Sequence, residues 1–185
     1  MKRVEWKLYI DYEKEEAWLN SMSAKGFAFT DFFFCRYVFE DSEPGEYIYR
    51  IELLENLPGH PESRKYLNFM EENGVKQISS WHRWVYFRKK AVDGPFDIYS
   101  DIDSKIAHYR RVSFLQLVII CMGILVGVPQ LISILDTYFG YGREGEVYIL
   151  VPIAILFCTD VVLLINWISI RKKMKGLLSE KTLRE

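Results

Sequence analysis

Asp160 is the only charged side chain in the apolar run 147–170. A carboxylate in such a place costs several kcal/mol unless it faces another helix or water. At a helical rise of about 1.5 Å per residue it lies about 15 Å from the end of the run, level with Met122 and Gly123 of the apolar run 112–135. Gly123-x-x-x-Gly127 is a small-residue pair that admits close helix approach, and by the same spacing Asn166 stands level with Gln116 for an interhelical hydrogen bond. Two kinds of chemistry fit: a polar contact to the sister helix, a second copy or a partner's helix, or an ion- or proton-responsive group. Neither run holds a second acid or a base, so helix contact is the expectation.

A second set is Lys7, Tyr9, Arg36, Arg50 and Arg88. Strand residues alternate between faces. If Trp6, Leu8, Tyr49 and Ile51 turn toward helices, these five line the opposite, open face of a sheet. Such a face suits a small anionic ligand, a protein partner or a second copy, and equally a set of solvated charges over a core. A bulge at Asp31 or at Ser79-Ser80 would flip the parity.

Other reactive side chains do not converge. His60, His82 and His108 lack metal-ligand spacing, and Cys35, Cys121 and Cys158 form no CxxC pair. The acidic pairs Glu15/Glu16, Glu71/Glu72 and Asp101/Asp103 suit helix caps and exposed faces. There is no nucleophile elbow, phosphate loop or HExxH. The expectation is a non-enzyme with no metal and no cofactor.

The elements that must position these residues are readable in order. Alternation over 3–11 gives a strand, and Asp11 caps a helix over 12–25. Glu13, Glu15 and Glu16 complement its dipole, and Gly26 ends it. The aromatic stretch 27–40 reads as one strand. Glu43-Pro44-Gly45-Glu46 fits a type II turn leading to a strand at 46–54, antiparallel to its predecessor. Pro61 and Gly74 bracket a helix over 62–73, and a last strand or hairpin runs through 75–90. Trp18-Leu19-Asn20-x-Met22-x-x-x-Gly26 recurs as Tyr66-Leu67-Asn68-x-Met70-x-x-x-Gly74, so the order β-α-β-β-α-β carries an internal repeat. The expected class is α+β: a ferredoxin-like βαββαβ domain over 1–100, then two transmembrane helices.

Of 185 residues 50% are hydrophobic and 26% charged, which requires the two classes to be segregated along the chain. The runs 112–135 and 147–170 each exceed the roughly 20 apolar residues that cross a bilayer, so they form a membrane hairpin. Residues 101–111 join the domain to it as a helix that continues into the first span, capped by Asp101 or Asp103, with Gly94-Pro95 as a hinge before it. Residues 171–185 form a basic tail. Arg110 and Arg111 precede the first span and Arg171, Lys172, Lys173 and Lys175 follow the second, whereas Arg143 is outnumbered by acids in the connecting loop. The positive-inside rule puts both termini in the cytoplasm of a two-pass inner-membrane protein. The N-terminus lacks the apolar stretch of a signal peptide. Acids outnumber bases over 1–105, which disfavours nucleic acid as a partner.

WLNxMxxKGF, EPGEYIYRIELL, WHRWVYFRK and GPFDIYSDIDSKI together resemble the bacterial family catalogued as domain of unknown function 2812, over roughly residues 1–110. That resemblance implies membrane helices behind the domain and a gene setting beside PadR-type transcriptional repressors. It carries over no catalytic residue. The function expected is a membrane-anchored regulatory or sensory protein whose cytoplasmic domain binds a protein partner or small ligand. The alternative is a small transport or immunity component acting through the hairpin, with a partner or homo-oligomer formed there.

Overall fold

The computed structural model describes residues 2–99, 101–141 and 147–184, and of 137–141, 147–150, 183 and 184 the backbone alone. Two compact units divide the chain at 108/109. The first runs β1 (Lys2–Trp6), α1 (Tyr12–Ala24), β2 (Phe27–Phe33), β3 (Arg36–Asp41), β4 (Tyr47–Leu53), α2 (Pro61–Glu72), β5 (Lys76–Trp81) and β6 (Trp84–Lys90). α3 (Ile102–Tyr141) begins in the first unit and continues into the second, which also holds α4 (Val147–Arg184).

This is an α+β domain, but not the single four-stranded sheet that a ferredoxin-like βαββαβ order requires. Six strands form two antiparallel three-stranded sheets, ordered β1-β3-β2 and β4-β6-β5. The difference arises at two turns. Residues 27–40, read as one strand, fold back at Phe34 (φ 34°) and Cys35 (φ 66°), and the 75–90 segment folds back at His82 (φ 53°). Left-handed turn positions ordinarily go to glycine, asparagine or aspartate, so Phe-Cys and His-Arg give no turn signal. The Glu43–Glu46 turn does form, with Gly45 at φ 74° and Glu46 N–H donating to the Glu43 carbonyl at 3.1 Å. It connects the two sheets, and β4 pairs with β6 rather than with β3.

The internal repeat is deeper than the helix motif. Each half is β-α-β-β with its first strand on its third, and the separation of Gly26 from Gly74 recurs elsewhere. It relates the turn at Phe34 to the turn at His82, and the β2 irregularity between Phe29 and Asp31 to the β5 irregularity between Gln77 and Ser79. Asp11 caps α1 by accepting from Glu13 N–H at 3.0 Å, and His60 Nδ1 caps α2 at 3.4 Å.

Helix α1 fills the space between the sheets. Leu19 and Met22 pack on Phe29, Tyr37 and Phe39 of one sheet and on Tyr49, Ile51 and Tyr86 of the other. Its Glu16, Asn20 and Ser23 lie one turn apart and bond the free backbone edge of β4 from Tyr47 to Ile51. Glu16 accepts from Ile51 N–H at 3.0 Å. The Asn20 amide both accepts from Tyr49 N–H at 2.8 Å and donates to its carbonyl at 3.0 Å. Ser23 Oγ donates to the Tyr47 carbonyl at 2.6 Å. Most of an open sheet edge is thereby covered without another strand. Behind the second sheet, α2 supplies Met70 to a separate core with Val75, Val85, Phe87 and Phe96.

In the second unit both helices are long and apolar enough to cross a membrane. Their apolar side chains face largely outward, Leu125 at 68% and Ile165 at 63% exposure. α3 starts at Ile102, where Ser104 N–H donates to Asp101 Oδ1, so the 101–111 segment is continuous with the first run. α4 extends through the basic tail instead of ending at 170. The connecting-loop residues Arg143, Glu144 and Glu146 lie outside the described residues.

Candidate functional site

At the first turns of α1, between the two sheets, lies a cavity of about 230 Å³. Its walls are aromatic: Tyr9 and Tyr12 lead into α1, Phe32 comes from β2, and Trp81 and Trp84 flank the β5–β6 turn. The rings are interlocked, Tyr12 with Trp84 at 5.5 Å and Phe32 with Tyr37 and with Tyr86 at 4.9 Å between centroids. The β2–β3 turn also reaches the cavity, through Phe34 and Cys35.

Glu15 is the acid of this cavity, 7% exposed. Tyr37, from the first sheet, donates its hydroxyl to Glu15 Oε1 at 2.8 Å, and Tyr86, from the second, donates to the same oxygen at 2.7 Å. The carboxyl thus joins both sheets to α1. Burial raises its pKa above the ordinary 4.5, against the two phenolic hydrogen bonds, which lower it. Both phenols are pushed upward in turn, by their own burial and then by the facing carboxylate, and so remain donors.

In the sequence Glu15 reads as a dipole complement on an exposed helix start, whereas the fold turns it inward. A signal was present: in Glu13-Lys14-Glu15-Glu16, position 15 lies four before Leu19, on the stripe of Leu19 and Met22. Neighbouring Glu16 also has a raised pKa, from burial, opposed by its hydrogen bond from Ile51 N–H and by Arg50.

The five residues of the expected open face are not assembled into one anion site. Strand β1 turns the other way from the expectation, with Trp6 69% and Leu8 75% exposed, while Tyr9 lies inward beside Trp18 and Tyr37. Lys7 Nζ sits over the Trp18 ring at 4.5 Å. Arg36 is flanked across its sheet by Trp6 and Phe33. Arg50 pairs with Glu16 at 3.3 Å and stands over the Phe96 ring at 5.9 Å, and Arg88 lies over Tyr47 at 4.4 Å. The register sets Tyr49 opposite Arg88 and Arg50 opposite Phe87, so the two arginines start from opposite faces of their sheet.

Of the histidines, His60 caps α2 and His108 is fully buried against Tyr12 and Tyr99, with ring centroids 5.1 Å and 5.2 Å away. No metal-ligating group of three or more His, Cys, Asp or Glu occurs among the described residues.

In the second unit Asp160 is 7% exposed and lies against Gly123, where an added Cβ would collide with both carboxylate oxygens. Its Oδ2 has no hydrogen-bond partner among the described residues. A Cβ at Gly127 would meet Leu156 at 3.1 Å and Phe157 at 3.3 Å, so both glycines sit in the seam between the helices. Gln116 is buried at 5% exposure and its Oε1 accepts no hydrogen bond, from Asn166 or any other described residue.

A family model described as "Protein of unknown function (DUF2812)" matches residues 11–122. No curated protein and no solved structure matches the chain.

Proposed function

The chain belongs to the DUF2812 family, and we propose that it is a membrane-anchored regulatory or sensory protein whose N-terminal domain takes a small ligand into the cavity around Glu15. The observation that carries this reading is the cavity: a buried carboxyl, tied to both sheets, opens onto aromatic walls. Sites of this kind combine apolar walls with few polar groups. A ligand there touches α1 and both sheets at once, so occupancy would tighten the domain. The continuous helix α3 offers a mechanical path from the domain into the hairpin.

The reading includes a bacterial inner membrane crossed twice, with domain and tail on the cytoplasmic side. The flanking basic residues support that orientation. Regulation would pass from the hairpin to a partner or a second copy, and no catalysis is assigned. A thermal-shift and tryptophan-fluorescence screen of the full chain in detergent micelles tests it. Ligands that raise the melting temperature should lose that effect in Trp84→Ala, and a screen in which no compound acts through the cavity overturns the reading.

A second reading, a small transport or immunity component acting through the hairpin, is favoured by the buried Asp160–Gly123 contact. It requires Asp160→Leu to abolish the cellular phenotype while Trp84→Ala leaves it intact.

A further inference from the structure

We propose that the cavity is a binding site for a small organic cation, its ammonium or quaternary ammonium head lodged against the Glu15 carboxylate within the aromatic walls. The inference rests on the ligand-site reading above and adds the class of ligand.

Three features point to a cation. First, both phenols donate to Glu15 Oε1, while Oε2 has no hydrogen-bond partner among the described residues. Glu15 likewise has no ion pair among them, although buried carboxylates are ordinarily paired. The nearby bases are committed elsewhere: Lys7 lies on the Trp18 ring at 4.5 Å and Arg50 on Glu16 at 3.3 Å. A positive charge delivered by a ligand supplies what the chain withholds.

Second, the walls are of the kind that attract cations. The faces of tryptophan, tyrosine and phenylalanine carry negative quadrupole charge, and cages of such rings recognise quaternary ammonium groups. Tyr9, Tyr12, Phe32, Trp81 and Trp84 converge here from separate segments of the chain. An anion would meet Glu15 and those same faces. It would also find the hydroxyls of Tyr37 and Tyr86 already donated.

Third, the size and the rim fit. At about 230 Å³ the cavity is smaller than the roughly 300–1,000 Å³ of sites for drug-sized ligands, which selects a small head group. Phe34 and Cys35 at the rim hold positive φ without glycine, a cost that proteins accept chiefly at functional sites. Among the described residues Lys7 is the one base lining the cavity and works against a cation, which makes it a useful control.

The test is a titration of the full chain in detergent micelles with choline, tetramethylammonium, the neutral isostere 3,3-dimethylbutan-1-ol and acetate, read by tryptophan fluorescence and melting temperature. The expected result is saturable binding of the two cations at least tenfold tighter than the isostere, and none of acetate. Glu15→Gln keeps an oxygen to accept from Tyr37 and Tyr86. It should lower cation affinity at least tenfold without lowering the melting temperature, while Lys7→Met leaves affinity equal or stronger. Equal binding of choline and its isostere, a comparison that needs no variant, overturns the cation assignment but leaves the ligand site standing. The same holds if Glu15→Gln folds and binds choline like wild type. Absence of saturable binding by every probe overturns the assignment and removes support from the site itself.

Discussion

Glu15 shows how a side chain that looks ordinary in sequence becomes the pivot of a fold. Its Oε1 takes hydrogen bonds from Tyr37 and Tyr86, one from each sheet. Removing one phenol by Tyr86→Phe leaves the buried carboxyl half-satisfied and should cost about 1–3 kcal/mol in chemical denaturation. The pH dependence has a definite sign. Because burial raises the folded-state pKa above 4.5, the folded chain holds this proton to higher pH than the unfolded chain does. The stability this contributes is complete below that unfolded value and is lost as pH rises through the folded pKa. Glu15→Gln removes the titration, so its melting temperature should gain on wild type as pH is raised from about 4 to about 7. A constant difference across that range would contradict the burial of the acid. A glutamate at a helix start is read as a dipole complement because that is its usual role, and only the sheets reveal that position 15 faces inward.

At the scale of elements, positions governed by local chemistry were legible and pairings governed by tertiary packing were not. Asp11, Gly26, Pro61 and Gly74 bracket helices close to the expected bounds, and the Pro44-Gly45 turn forms. The irregularities near Asp31 and Ser79 fall at or beside the places suspected of breaking parity. The turn at Phe34-Cys35 gives no signal because its residues lack turn chemistry, so 27–40 reads as one strand, whereas the hairpin that turns at His82 is one of the two forms expected for 75–90. The outward set of Trp6 and Leu8 escaped too, since alternation marks two faces without naming the buried one. The repeat provides its own control. Asn20 closes the edge of β4, whereas Asn68, its counterpart in α2, is exposed. Asn20→Ala should therefore destabilise by about 1–3 kcal/mol and Asn68→Ala by less than about 0.5 kcal/mol, measured by urea denaturation. Replacing Phe34-Cys35 with Asn-Gly should relieve the left-handed backbone and raise stability by about 1 kcal/mol. If the rim serves the ligand, the same change weakens binding.

For the whole molecule, the α+β domain that holds the Glu15 cavity is followed by two apolar helices, the first of which is the unbroken helix α3. The hairpin's seam is built on Gly123 and Gly127 against Asp160, Leu156 and Phe157. Gly123→Leu forces the seam apart and should reduce crosslinking between cysteines placed across it, while Gly176→Leu, where an added Cβ meets open space, should not. Asp160→Leu should likewise lower the thermal stability of the hairpin if its packing against Gly123 holds the helices, and unchanged stability would argue against that role. We propose above that the domain's cavity is where the protein meets a small cation. A crystal structure of the full chain grown from a lipid phase with choline tests this most directly. The trimethylammonium head is expected between Trp84, Tyr12 and Glu15, in contact with Glu15 Oε2. Choline bound elsewhere, or a cavity closed over by the side chains of Tyr9 and Lys7, would contradict it.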